Sequence, residues 1–97
     1  MTTRTEVRLA AVAAETAMRG AATYFKSKGI NVTDYGMASA ILQRHTKARL
    51  PEALEDARQA IDANMGEVAE MTFRASMQLA GFDAAKEYAA SMEGGEE

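Results

Sequence analysis

The residues best suited to chemistry are concentrated in Gln43–Ala57, QRHTKARLPEALEDA. Arg44, His45, Lys47 and Arg49 precede Leu50 and the only proline, Pro51; the acids Glu52, Glu55 and Asp56 follow. His45 is the only histidine, and the chain has no cysteine. A histidine that moves protons or binds metal works with a second group set against it. The residue three before His45 is Leu42, so the Glu-x-x-His unit of di-iron bundles is missing. The His-Glu-x-x-His metal motif is missing too. Without cysteine there is no thiolate nucleophile, thiolate metal site or disulfide. His45 is expected near a helix C-terminus, bonded to carbonyls or partly packed.

Two carboxylate pairs, Glu52/Glu55 and Glu67/Glu70, have a spacing that puts both members on one helix face. Such pairs do acid–base work when burial separates their pKa values. Both lie opposite the apolar stripe and are expected in solvent. No glycine-rich phosphate loop occurs. The sequence therefore assigns no catalytic residue, cofactor or metal, and points to no small-molecule substrate.

The elements around these residues read as helices. Thr3-Arg4-Thr5-Glu6 has the form of a capping box. Val7, Ala11, Ala14, Met18, Ala21 and Phe25 then recur at spacings of four and three, predicting a first helix over residues 4–28 with this face inward. Gly29 suits the position just past its end. Ile30–Thr33 has β character but is too short and isolated for a sheet. Thr33 or Asp34 is placed to cap a second helix, Tyr35 to Arg49. Leu50 precedes proline and should break it, and Pro51 suits the first turn of a third helix. On that reading the cations of Gln43–Ala57 close one helix and its acids open the next, as the helix dipole favours. The third helix carries Leu54, Ala57, Ile61, Met65, Val68, Thr72, Ala75 and Leu79 on one face. A stop at Asn64-Met65-Gly66 is the alternative. Gly81 is expected to end this element, and Ala84–Met92 to form a short last helix. The predicted fold is an all-α bundle of three to five helices dominated by two long antiparallel ones, with the second helix as their bridge. Residues 1–92 form one domain, and 93–97 a flexible acidic tail.

Composition narrows the function. Of 97 residues, 47% are hydrophobic, but 21 are alanine and 7 methionine. A buried leucine or phenylalanine contributes roughly 1.5–3 kcal/mol, and alanine much less. The core is therefore thin: either the helices pack very closely, or apolar surface is buried against another chain. Small residues at four-residue spacing (Ala10/Ala14, Ala13/Ala17/Ala21, Ala53/Ala57) would permit close approach. Met71, Phe73 and Met77 lie partly off the third helix's main stripe and are the candidate partner face. The expected function is a non-enzymatic protein–protein interaction module: a small helical adaptor, inhibitor or assembly factor that self-associates or binds another protein. The alternative is a nucleic-acid-binding regulator using Lys26, Lys28, Arg44, Lys47 and Arg49. Against it stand a net charge of −3, no helix-turn-helix spacing, and only Tyr24 and Phe25 beside the basic residues for base stacking. No run is long enough for a membrane span, and the six apolar residues Leu9–Ala14 are too few for a signal sequence. A cytoplasmic location is expected.

Overall fold

The structure, a computed structural model, describes residues 4–94. It contains three helices, α1 (Arg4–Lys28), α2 (Tyr35–Asp62) and α3 (Gly66–Gly94), and no strand among the described residues. Leu9 packs with Ala69 and Phe73, while Phe25 meets the Tyr88 ring edge-on at 5.6 Å, so α1 and α3 run in the same direction. Ion pairs from Arg58 to Glu6 and from Arg44 to Glu87 show α2 running antiparallel to both. The most extensive packing is that of α3, which lies against both other helices; α1 and α2 share the smallest interface.

Helix boundaries follow local chemistry. Gly29, at φ 65°, ends α1: its N–H donates to the Lys26 carbonyl and that of Ile30 to the Phe25 carbonyl. These two bonds make a Schellman cap. Asn64, at φ 60°, ends α2 in the same way, with Asn64 N–H to Ile61 and Met65 N–H to Ala60. Asp34 caps α2 by accepting from the Met37 N–H at 2.9 Å. The expected capping box rests on Thr3, outside the described residues. The expected tail is helical as far as Gly94; residues 95–97 also lie outside.

Three expectations are corrected. The break before Pro51 does not occur: α2 runs through it. Proline inside a helix removes one backbone hydrogen bond and costs about 3 kcal/mol. Packing on both sides offsets this, through buried Thr46 before it and buried Ala53 and Ala57 after it. Pro51 itself is exposed, as is Lys47, whose carbonyl loses its N–H donor. The charge runs of Gln43–Ala57 therefore belong to one helix. Gly81 does not end a helix either; α3 continues through it. Three helices of 25, 28 and 29 residues replace two dominant ones with a bridge.

The buried faces differ from the expected ones as well. On α1 the buried face is Leu9, Ala13, Ala17, Gly20 and Ala21, with Glu6. The expected stripe lies beside it: Val7 and Met18 are 58% and 55% exposed, and Ala11 and Ala14 are exposed too. On α3 the buried face is Ala69, Phe73, Met77, Ala80, Ala84 and Tyr88, leaving Val68, Thr72, Ala75 and Leu79 exposed.

The α1–α3 seam shows how a thin core closes. A Cβ added to Gly81 would stand 2.0 Å from the Ala17 carbonyl oxygen, and one added to Gly20 2.6 Å from that of Gln78. Neither fits, so the two backbones touch at this crossing. Ala17 and Ala80 are completely buried. Close approach replaces side-chain bulk, because dispersion depends on atoms in contact rather than on residue size.

Candidate functional site

Polar chemistry gathers along the α2–α3 seam. His45 Nε2 lies 3.0 Å from Glu87 Oε1, and Arg44 pairs with the other oxygen of that carboxylate. One turn further along α2, Arg49 reaches Asp83 at 3.0 Å. The hydrogen bond with His45, with the Arg44 guanidinium beyond it, holds the Glu87 carboxyl below its usual pKa. A polar recess beside these pairs is lined by His45, Arg49, Glu52, Asp56, Ser76 and Asp83. Among the described residues no three acids or histidines converge as metal ligands. His45 sits mid-helix, not near a C-terminus, and its work is to join α2 to α3.

Two further polar contacts fasten the bundle. Buried Glu6 receives Arg58 Nε at 3.1 Å and Nη2 at 3.2 Å, a two-pronged contact between α1 and α2. This bond raises the Arg58 pKa further. At the other end, the buried Tyr88 hydroxyl accepts the backbone N–H groups of Thr33 and Asp34 at 3.1 and 3.0 Å. The Thr33 side chain and then the Asp34 N–H hold the Tyr88 phenol below its usual pKa. The α1–α2 loop is thereby tied to α3. The i,i+4 pairs Glu15–Arg19 and Glu70–Arg74 form at 2.7 and 3.1 Å.

The residues singled out from the sequence are dispersed. Phe73 and Met77 are core, each at most 1% exposed, whereas Met71 is 72% exposed. They do not form one uncovered strip: residues 73 and 77, a turn apart, point between α1 and α2, and Met71 points outward. Of the five basic candidates, Arg44 and Arg49 are held by Glu87 and Asp83. Lys28 lies over the Tyr24 ring, 6.0 Å from its centroid. Lys26 and Lys47 are exposed. The Glu52/Glu55 pair and Glu67 are exposed as expected, and Glu70 is partly so.

The feature missed in the sequence is a groove between α1 and α2. One section, of about 410 Å³, is lined by Ala10, Ala13, Ala14 and Met18 of α1 and by Leu42, Thr46, Lys47 and Leu50 of α2, among others. An adjoining section of about 250 Å³ is walled by Phe25, Val32, Tyr35 and Ala38, with Ala84 and Ala85 of α3 contributing to its lining. Met18, Ser39 and Leu42 line both, so the two sections are continuous. The lining is mostly apolar. Its α2 wall adds Ser39, Gln43 and Lys47, and Lys47 has no ion pair among the described residues. The sequence did signal half of this surface: Ala14, Met18, Ala21 and Phe25 are the face expected to be buried on α1.

No family model, curated protein or solved structure matches the chain. What the groove can bind is set by its own chemistry. No described helix is long and apolar enough to cross a membrane.

Proposed function

We propose that this protein is a non-catalytic helical binding module whose working surface is the α1–α2 groove. The ligand is an amphipathic helix from another protein. It lays a strip of leucine-sized side chains along Met18, Leu42 and Leu50 and sets a carboxylate against Lys47. The observation that carries this reading is the continuity of the two groove sections through Met18, Ser39 and Leu42. A helix lies naturally in such a trough, with anchors at i, i+3, i+4 and i+7. Two helices that share the smallest interface of the bundle leave room for a third beside them, and the alanines of α1 keep the floor low enough to admit it.

The test uses a synthetic amphipathic helix of leucine, alanine and glutamate, titrated into the isotope-labelled full chain. Amide shifts should concentrate at Met18, Ser39, Leu42 and Lys47. A peptide of the same composition with its apolar face scrambled should shift nothing. Shifts confined to other surfaces, or equal responses to both peptides, would overturn the assignment.

A further inference from the structure

The side of α3 that faces away from α1 and α2 is also apolar. At 3.6 residues per turn, Val68, Met71, Ala75, Leu79 and Phe82 fall within an arc of about 80°, opposite Phe73, Met77, Ala80 and Ala84. Val68, Met71, Ala75 and Leu79 are exposed, and Phe82 is partly so. α3 thus carries apolar stripes on two opposite sides, separated by Glu70, Arg74 and Gln78 on one flank and Thr72, Ser76 and Asp83 on the other. The bundle covers only one of those sides.

We infer that the outer stripe of α3 is the seam of a two-fold dimer in which α3 pairs antiparallel with α3 of a second copy. The order of side chains along the helix selects this occupant. A two-fold axis passing between Ser76 and Met77 sets Leu79 near Ala75 of the partner copy, large against small, and does so twice. The same axis sets Met71 against the partner's Phe82, a sulfur–aromatic pair, and Glu67 against the partner's Lys86, also twice. Neither Glu67 nor Lys86 has an ion pair among the described residues. Acid flanking the start of the stripe and base at its end come to the same level when the helices run in opposite directions. Parallel pairing would put like charges together, which is disfavoured. The self-complementary patch is what an isologous interface requires. This surface is separate from the α1–α2 groove, so dimerisation leaves both grooves open and makes the module bivalent.

The experiment is sedimentation equilibrium on tag-free full-length protein over a hundredfold concentration range. Wild type should be a dimer. Leu79→Glu should raise the dissociation constant on the order of 100-fold with helicity unchanged. Glu67→Lys and Lys86→Glu should each weaken the dimer, and combining them should restore it. A wild-type monomer throughout, or a dimer indifferent to Leu79→Glu, would overturn the seam. Restoration absent from the double variant would overturn the antiparallel arrangement. Met18→Glu, in the groove, should leave the dimer intact, so failure of the groove reading and failure of the seam give different results.

Discussion

The α1–α3 seam and the α1–α2 groove are built from nearly the same residues and behave in opposite ways. Both use alanines from α1. In the seam, Gly20 and Gly81 let backbone meet backbone, and the gap closes without large side chains. Along the groove, α2 presents Leu42, Thr46 and Leu50 rather than glycine, and these side chains hold the helices apart without filling the space. A thin core therefore closes on one side of α1 and stays open on the other. Glycine decides which, because removing one Cβ from a contact lets two helices approach in a way that alanine alone does not permit.

The sharpest way to break this contrast is to give the seam a side chain. Gly81→Ala should cost about 3 kcal/mol or more and lower Tm by roughly 15 °C, since the new carbon would overlap the Ala17 backbone; thermal unfolding followed by circular dichroism measures it. Next in size is Arg58→Ala, which removes the two-pronged contact between α2 and the buried Glu6. Tm should fall by roughly 10 °C near neutral pH, and Glu6→Gln in the same background should recover part of the loss. Tyr88→Phe removes the acceptor for the Thr33 and Asp34 N–H groups, and Tm should drop by roughly 5 °C. Hydrogen exchange at those two amides should accelerate.

A smaller effect is confined to acid. The Glu87 pKa is lowered in the folded state. Its contribution to stability is therefore fully present above the unfolded value of about 4.3 and is lost as pH falls through the folded pKa. Wild type should lose more stability than Glu87→Gln between pH 5 and pH 2 in urea titrations, and the two curves should converge at the acid end. Smallest of all, Met18→Ser on the open side should change stability by no more than about 0.5 kcal/mol, measured in the same titrations. A large loss there would mean that the groove is core.

Much of the fold was legible in the sequence, and the failures share a cause. The extent of α1, its Gly29 cap and the Asp34 cap follow from residue types whose local chemistry is nearly sufficient. Pro51 was misleading because its local preference was outweighed by tertiary packing at Thr46, Ala53 and Ala57, which a local rule does not see. The burial patterns were off by a residue or two because α1 and α3 each carry two apolar stripes, and alanine marks both. Gly81 reads locally as a breaker, yet with Gly20 it stands where the α1 and α3 backbones meet. Of the partner face proposed from sequence, Met71 alone is exposed. Phe73 and Met77 were misplaced by the same ambiguity. Of the groove only the α1 wall was legible, since its opening arises from the small interface between α1 and α2.

The most direct test of the groove's role is calorimetric titration of the amphipathic leucine–alanine–glutamate peptide into wild type and Met18→Glu at several temperatures. A helix-binding groove lined by Met18 predicts saturable binding to wild type with a negative heat-capacity change, as expected when apolar surface is covered, and at least ~10-fold weaker binding to the variant at unchanged helicity. Equal affinities for the two proteins would contradict it.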